Sequence, residues 1–470
     1  MFRITLLIIL ALELLSYTLF WLPMAKAIAL IILAILVFVL SLINLKYGIW
    51  ASIIELIIGS KGYLLAAQIG DFTLSLRMAI FCAVILATLI YFLRSFKRFK
   101  LLKMLVTPLW ITFIVILCWG IGFALWRGNT SGIIFKDFNA YLYFLYLIPF
   151  ALVFKEQKPL TEFWTVFDAS IFALCAKTLI LLFTFSHYIN FNELYKWVRN
   201  TGWGEITLTP GLIRVFSQSH IYALIGFLIF FFLLLNKKYI FSKRALICLC
   251  ILTLSTTIIS LSRSLWAGLI IGIACLLFYN FKKEKSILLL AKNLGILIIF
   301  AIVSFGIAWS LINFPYPKKI PSVDLSLSKR IDLQEAAAQT RWAEIKPLAF
   351  AIAQHPIVGS GFGTTIKFST FDPRIQDKTN FTTYAFEWGY LDIILKIGLF
   401  GLLIYLLIIF NAAKAIFRQS PELIIGLIGL LATHMFTPYI NHPLGIGYLI
   451  IIINFKYQMS NQIQSSNDKI

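Results

Sequence analysis

The stretch EWGYLDIILKIGLFGLLIYLLIIF, residues 387–410, is almost wholly apolar after its first residues. It follows directly on 313–386, the one long polar segment of the chain. A helix needs about 20 predominantly apolar residues to cross the ~30 Å hydrocarbon layer of a bilayer. Similar apolar runs recur along the chain, and a loop as long as 313–386 between such runs is usually functional or disordered. The pattern therefore predicts a helical membrane protein with one large polar loop.

The composition favours the same class, because 60% of the 470 residues are hydrophobic and 13% are charged. A transmembrane barrel would instead show alternating segments of about ten residues, which the sequence lacks. We therefore predict an all-α, polytopic membrane protein of about 12–14 transmembrane helices with one large extracytoplasmic loop containing helices. The predicted spans lie near 4–22, 27–44, 48–59, 74–93, 104–123, 138–154, 164–189, 215–235, 245–261, 264–279, 287–312, 387–410, 422–437 and 443–455.

The basic residues decide the predicted orientation. The net charge of +21 is carried by clusters in short connectors rather than on one soluble face, which argues against nucleic acid as a partner. With Met1 in the cytoplasm, every cluster falls on the cytoplasmic side, so both termini are predicted to be cytoplasmic. The clusters are Arg94, Lys97, Arg98, Lys100 and Lys103; Lys237, Lys238, Lys243 and Arg244; Lys282, Lys283 and Lys285; and Lys414 with Arg418.

Five segments are expected along the chain. Apolar spacing over 326–354 predicts one or two surface helices interrupted at Pro347, and 364–386 is expected to be coil. The polar tail after Lys456 is expected to be disordered. The five segments are 1–200, the N-terminal transmembrane helices; 201–312, the central transmembrane helices; 313–386, the extracytoplasmic loop; 387–455, the C-terminal transmembrane helices; and 456–470, a cytoplasmic tail.

The six cysteines lie in apolar runs without zinc spacing, so no metal site is predicted.

Three arginines lie near the predicted outer boundary of the membrane: Arg214, Arg263 and Arg341. Arginine binds phosphate in a bidentate manner and stays charged near a membrane, so three of them on one face would suit a diphosphate. Each also has a simpler interpretation. Arg214 and Arg263 could extend to the membrane interface as long charged side chains do, and Arg341 with Trp342 could be an ordinary pair on an amphipathic helix.

A carboxylate and a glycine-rich turn accompany these arginines. Glu387 begins the predicted span 387–410, where the helix dipole favours an acidic residue, and it could alternatively act as a general base or pair with an arginine. His355 precedes a turn that contains Gly359, Gly361 and Gly363. We favour a helix-ending residue that bonds locally over a catalytic one for His355, and these four residues are expected to support the site. The turn follows no strand and opens no βαβ unit, which excludes a dinucleotide-binding motif.

Five ionisable residues lie deeper in the predicted spans: Glu13, Glu55, Lys177, Asp392 and Lys396. Charges within a membrane span usually pair with one another or mark a transport pathway. Asp392 and Lys396 are four residues apart on one helix and can neutralise each other, and either Glu13 or Glu55 can pair with Lys177. We favour structural pairing, although a transporter would use the same residues.

Four segments resemble successive motifs of the O-antigen ligase and O-antigen polymerase superfamily of polytopic membrane glycosyltransferases. Three of them are LSRSLWAGL (261–269), TRWAEIKPLAFAIAQHPIVGSGFGT (340–364) and EWGYLDIILKIGLFG (387–401). The fourth and weaker one is IRVFSQSHIYAL (213–224). The resemblance covers roughly residues 200–405, and it depends more on the order and spacing of the motifs than on any one of them.

The resemblance implies a metal-independent enzyme without a cofactor that assembles cell-surface polysaccharide. Such an enzyme passes a glycan from undecaprenyl diphosphate to an acceptor sugar hydroxyl on the extracytoplasmic face of the cytoplasmic (inner) membrane. Its partners would be the lipid-linked donor, a glycan or glycolipid acceptor and the bilayer. By the same resemblance, Arg341, Arg263 and the less closely matched Arg214 would hold the diphosphate, and a carboxylate or an imidazole would take the proton of the attacking hydroxyl. We predict Arg341 and Glu387 as the catalytic residues.

One position departs from the ligase pattern. Ligases of the superfamily carry a His-Asn pair, nine residues and then Gly-x-x-Gly. Here Gly398 and Gly401 are present, but Glu387 and Trp388 stand at the position of the pair. A glutamate can serve as base, so polymerisation, or transfer to another acceptor, fits at least as well as ligation. His355 is not a replacement, because it has its own place in the pattern.

Two other functions remain open from the sequence. A transporter or flippase for a lipid-linked or small solute would use the charges within the spans and would tend to show paired broken helices in two halves, a symmetry not visible here. A non-catalytic membrane scaffold would not require the three arginines to converge.

Overall fold

The computed structural model describes residues 1–70, 72–94, 107–154, 157–209, 212–237, 242–315, 336–371 and 380–467. Most of these residues are helical, which confirms the predicted all-α class. Within them, eight helices are long and apolar enough to cross a membrane, and three shorter apolar helices accompany these. The chain is therefore a multi-pass helical membrane protein.

The elements follow one another in a simple helical series. The helices are α1 (Phe2–Thr18), α2 (Pro23–Ile43), α3 (Leu45–Ile58), α4 (Leu76–Leu93), α5 (Pro108–Trp126), α6 (Ser131–Phe138), α7 (Leu147–Val153), α8 (Gln157–Ser186), α9 (Phe191–Asn200), α10 (His220–Leu235), α11 (Lys243–Ile259), α12 (Arg263–Glu284), α13 (Ile287–Asn313), α14 (Ala336–Gln354), α15 (Gly389–Ile416), α16 (Pro421–His434) and α17 (Pro443–Asn467). Single 3-10 helices span Leu19–Trp21 and Asn139–Tyr146. Three antiparallel hairpins pair β1 (Ala66–Ile69) with β2 (Phe72–Ser75), β3 (Glu205–Thr209) with β4 (Leu212–Phe216), and β5 (Ile366–Phe368) with β6 (Phe381–Thr383).

The first of two compact units comprises Met1–Arg98, Ile148–Val323 and Ser420–Leu430. Its central helix is α8, against which α1, α3, α11 and α13 pack. Serine hydroxyls begin several of its helices; for example, Oγ of Ser286 accepts a hydrogen bond from the first turn of α13. Such caps satisfy N–H groups that have no partner within the helix.

Charged side chains inside the first unit are paired. Nζ of Lys177 on α8 lies 2.7 Å from Oε2 of Glu13 on α1, and Nε of Arg77 lies 2.8 Å from Oε2 of Glu55. Of the two predicted partners of Lys177, the observed one is therefore Glu13. These pairs support the structural interpretation of the charges that a transporter would otherwise use.

The second unit comprises Phe99–Leu147, Asp324–Gln419 and Leu431–Ile470, and α15 is its central helix. Helices α5, α14 and α17 pack against α15. Between α5 and α15, the rings of Phe113 and Tyr405 stack with their centroids 5.0 Å apart. Beneath α14, an apolar cluster connects this helix to β5 and α15. The cluster consists of Leu348, Ile366, Phe386 and Leu395.

Several helices differ from the predicted spans in their bounds. Among the described residues, eight helices are long and apolar enough to cross a membrane, and the predicted spans 215–235, 422–437 and 443–455 correspond to the three shorter apolar helices. The predicted span 138–154 is a 3-10 helix followed by the short α7, and its tyrosine-rich first part is buried inside the second unit. The predicted span 215–235 begins later, at His220, because 212–216 form strand β4.

The polar segments also contain more regular structure than expected. Helix α14 continues through Pro347, because the following residue, Leu348, is fully buried in the apolar cluster and holds the helix against α15. The predicted coil 364–386 contains β5 and β6. The tail that was expected to be disordered continues α17 as far as Asn467.

Some predictions lie outside the described residues. These are the first part of the predicted surface helix, 326–335, and the basic residues Lys97, Arg98, Lys100, Lys103 and Lys238.

Candidate functional site

Helix α15 is broken at Gly398, which has φ 74° and ψ 173°. These angles are accessible to glycine and to almost no other residue. In an unbroken helix the N–H groups of Leu399 and Phe400 would donate to carbonyls four residues earlier. Here they donate to the carbonyl oxygens of Pro356 and Ile357, at 2.9 and 3.2 Å. The glycine-rich turn therefore enters the hydrogen-bond ladder of the helix.

The same turn also satisfies the helix carbonyls that the break leaves open. The N–H of Ser360 donates to the carbonyl of Leu395 at 2.6 Å, and the N–H of Gly361 donates to that of Lys396 at 3.0 Å. Four hydrogen bonds thus replace the two that the break removes. These two N–H groups are bonded to the helix, so the turn at 359–363 differs in geometry from a phosphate-binding loop.

The glycines of the turn are set by close backbone contacts. Gly359 has φ 79°, and a Cβ atom there would lie 2.5 Å from the backbone N of Gly398. Gly361 has φ 87°, and its Cβ atom would lie 2.8 Å from the backbone N of Ala124 on α5. His355 begins the turn: its carbonyl accepts the N–H of Gly359, and its ring packs edge-on against an aromatic ring of α5.

Replacing Gly398 with alanine is expected to destabilise the protein by about 1–3 kcal/mol from the backbone conformation alone. The added Cβ atom would also lie only 2.0 Å from the carbonyl oxygen of Ile357. Thermal unfolding of the purified protein in detergent measures the change. The matched control is Gly295→Ala on α13, where a Cβ atom meets nothing within 4 Å. Equal melting temperatures for the two variants would contradict this description of the break.

A buried ion network lies immediately before the break. Nζ of Lys396 contacts a carboxylate oxygen of Asp137 and lies 2.6 Å from Oδ1 of Asp392, and the three side chains are only 2–6% exposed. The side-chain amide of Asn441 donates to Asp392, and the N–H of Gly363 donates to Asp137 at 2.7 Å. The predicted Asp392–Lys396 pair is confirmed, and Asp137 is an additional partner. The network joins the end of the turn to α15.

The two predicted catalytic residues form an ion pair at the start of α15. Nε of Arg341 on α14 donates to Oε2 of Glu387, which lies two residues before the helix begins rather than in its first turn. The indole N–H of Trp388 donates to the carbonyl of Arg341 at 2.9 Å. The side chains of Arg341 and Glu387 are 31% and 53% exposed, so a substrate can reach both.

A second carboxyl group, that of Glu344, is hydrogen-bonded to the backbone beside this pair. Oε1 of Glu344 accepts a hydrogen bond from the backbone N–H of Glu387 at 3.2 Å, and Glu344 is only 2% exposed. Burial, together with the negative charge of Asp392, raises the pKa of Glu344 from 4.5 to about 8, and the positive charge of Arg341 partly opposes this increase. At neutral pH the carboxyl group therefore retains its proton for most of the time.

The other two predicted arginines lie in the first unit. Arg214 is on β4 rather than at the start of a span, and its Nε donates to the carbonyl of Ser260 at 2.9 Å. Its guanidinium group also lies 3.8 Å from Glu205 and over the ring of Phe216. Ser260 belongs to the turn that leads into Arg263, the first residue of α12. The first unit therefore brings Arg214 to the turn that precedes Arg263, while Arg341 and Glu387 belong to the second unit.

Sequence reasoning missed several polar residues of the second unit. Glu344 follows Arg341 by three residues and so shares its helix face, a spacing that could have indicated it. Arg127, at the end of α5, donates to the carbonyl of Ser360 at 3.3 Å. His434 is buried against Gly389, and its Nδ1 accepts the N–H of Tyr439 at 2.9 Å. No local pattern marked either of these two residues.

The helices and the membrane-spanning pattern define a polytopic membrane protein with a charged site at the start of α15. Residues 248–406 match the family described as O-Antigen ligase, which confirms the resemblance of this part of the chain to the O-antigen ligase/polymerase superfamily. The match includes Arg263, Arg341 and Glu387, whereas Arg214 lies before it. No curated protein matches the chain. Among the described residues, no three His, Cys, Asp or Glu side chains are grouped so that they could hold a metal ion.

Proposed function

We propose that this protein is a membrane glycosyltransferase of the O-antigen ligase/polymerase type. It would move a glycan from undecaprenyl diphosphate to an acceptor sugar hydroxyl during cell-surface polysaccharide assembly. The observation that carries the proposal is the accessible pair of Arg341 and Glu387 within the family-matched residues. A basic group for a diphosphate leaving group and a carboxylate for a hydroxyl proton are the two functions that this reaction requires.

The proposed reaction assigns one task to each member of the pair. A carboxylate oxygen of Glu387 takes the proton of the acceptor hydroxyl as its oxygen bonds to the anomeric carbon of the donor sugar. The bond from that carbon to the diphosphate oxygen breaks, and undecaprenyl diphosphate leaves with the electron pair. Arg341 stabilises the charge that develops on the leaving group. Without donor, the guanidinium group of Arg341 neutralises Glu387. The donor diphosphate would compete with Glu387 for this guanidinium group and so leave the carboxylate available as base.

The remaining predicted residues have supporting tasks in this proposal. Arg263 and Arg214 add positive charge for the diphosphate, and Arg214 bonds to the turn before Arg263. His355, Gly359, Gly361 and Gly363 hold the turn that seals the break in α15. We place the site on the extracytoplasmic face of the cytoplasmic membrane with both termini in the cytoplasm, and the reaction needs no metal or cofactor. The five-segment division of the chain remains part of the same proposal.

The first experiment incubates the purified protein with undecaprenyl-diphosphate repeat units alone and separates the products on a gel. A ladder of longer glycans would identify a polymerase, and labelling only of an added acceptor would identify a ligase-type transferase. In either assay, Glu387→Gln should lower the rate by about 10²–10⁴-fold, because the amide cannot take the proton.

The matched control for this substitution is Glu284→Gln. Glu284 is 50% exposed and pairs with its neighbour Lys283 at 3.6 Å, so this variant should transfer glycan as the unmodified protein does. Undiminished transfer by a folded Glu387→Gln variant would reject Glu387 as the base. No product in any assay with the folded, unmodified protein would reject the proposed function.

A further inference from the structure

Glu344 is a buried residue next to the proposed catalytic pair, and its carboxyl group accepts a hydrogen bond from the backbone N–H of Glu387. Its carboxyl group is 2% exposed, and Oε1 lies 3.2 Å from the backbone N of Glu387. One turn further along α14, Leu348 is fully buried in the apolar cluster that joins this helix to α15. A group so placed can act on Glu387 and on Arg341 without touching the substrate.

Charged groups face Glu344 from its own helix and from the start of α15. Arg341 lies three residues earlier on α14, so the two side chains share a helix face. The neighbouring strand β5 carries Lys367, but that residue is the exposed one between two buried neighbours and points away from the cluster. The groups around Glu344 are Arg341 on α14, Glu387 just before α15, and Asp392 with its partner Lys396 on α15.

We propose that Glu344 is a positioning residue whose protonation state determines which partner the Arg341 guanidinium group binds. In the protonated state, Glu344 fixes the backbone of Glu387 and leaves the Arg341 guanidinium to Glu387 and the donor diphosphate. In the ionised state, Glu344 draws Arg341 towards itself. This inference rests on the glycosyltransferase function proposed above.

The physical reason lies in the spacing of the charges. A carboxylate and an arginine three residues apart on one helix attract each other, and the attraction is strong where water is largely excluded. Ionisation of Glu344 would also add a negative charge beside Glu387 and Asp392, which disfavours a diphosphate. Both effects weaken donor binding, whereas the neutral form has neither.

The direction of the pH dependence follows from the environment of the carboxyl group. Because burial and Asp392 raise the pKa of Glu344 to about 8, the competent protonated form predominates below that pH. Above it, donor binding and turnover should fall by about tenfold per pH unit, as for any group that must be protonated. Glu344→Gln is neutral at every pH and should lose this alkaline limb.

The experiment measures two quantities from about pH 6 to about pH 10: the affinity for undecaprenyl diphosphate and the initial rate of glycan transfer. The full-length protein should lose both above about pH 8, and E344Q should lose neither over that range. E344A, which cannot accept the N–H of Glu387, should transfer slowly throughout. The exposed-carboxylate control E284Q should follow the unmodified protein.

The outcomes separate this inference from the proposed function. If the unmodified protein binds donor and transfers glycan, but E344Q shows the same loss of affinity and rate at alkaline pH, the role of Glu344 is overturned and the proposed function stays intact. A folded protein that neither binds the lipid diphosphate nor transfers glycan would overturn both. An alkaline limb that disappears in E344Q but not in E284Q would establish Glu344 as the positioning residue.

Discussion

Arg341→Ala is expected to lower glycan transfer by about 10²–10³-fold, the usual loss when one preorganised charge-stabilising donor is removed from a transition state. Arg341 contacts Glu387, and the two side chains are 31% and 53% exposed, so removal of Arg341 should affect chemistry much more than folding. Exposed ion pairs contribute only about 0–1 kcal/mol to stability. Rates measured with saturating lipid-linked donor, together with a melting curve, separate the two effects.

Two further variants test whether the loss comes from Arg341 itself. Arg341→Lys keeps the charge but not the planar fork that binds phosphate oxygens in pairs, so it should recover only part of the rate. Lys346→Ala removes another cation from an exposed position of the same helix and should leave the rate unchanged. A similar loss in Arg341→Ala and Lys346→Ala would show a general effect of positive charge on membrane or donor binding, and would reject the specific role of Arg341.

Lys396→Met should have the largest effect on stability, about 3–5 kcal/mol, because it leaves two carboxylates without their shared cation in a buried site. Asp137, Asp392 and Lys396 are at most 6% exposed, so water offers little compensation. We expect a much lower melting temperature or loss of folded protein on purification. The lost Lys396 charge also lies in the last turn of the first half of α15, where a cation is favoured by the helix dipole.

A triple variant of the buried network should restore part of the stability that Lys396→Met removes. Neutralising both acids in Asp137→Asn/Asp392→Asn/Lys396→Met removes the unpaired charges and should recover part of the lost stability. The exposed control Lys283→Met, which breaks a pair with Glu284, should change stability by less than about 1 kcal/mol. Equal melting temperatures for Lys396→Met and Lys283→Met would contradict the importance of the buried network.

The sequence predicted what depends on local apolar pattern or on short spacing. Long apolar runs identified α1, α2, α13 and α15, because crossing a bilayer requires a minimum length whatever the tertiary contacts are. The four-residue spacing of Asp392 and Lys396 was enough to predict their pair. These features are properties of one helix at a time.

What the sequence did not reveal depends on contacts between distant segments. Asp137 is 259 positions from Lys396, and no pattern near either residue joins them. Gly398 lies inside the predicted continuous span 387–410, and because glycine is common in membrane helices its presence alone does not indicate a break. Its role as a break follows only from the turn that bonds to it. At Pro347 the error was the reverse: a break was predicted where the helix continues, since the packing of Leu348 maintains a helix that proline alone would interrupt.

The exchange of hydrogen bonds at Gly398 makes the turn and the helix one cooperative unit. Four bonds join residues 356–361 to 395–400, and separating the two segments would expose all eight of the participating backbone groups at once. The turn cannot separate from α15 without opening the backbone of a membrane helix, whereas α14 is held to the same helix by the packing of Leu348 and by the contacts of Arg341 and Glu344 with residues 387 and 388. The fold thus anchors the loop twice, by its backbone at the turn and by side chains along α14, so that Arg341 is carried on a segment fixed at the break in α15.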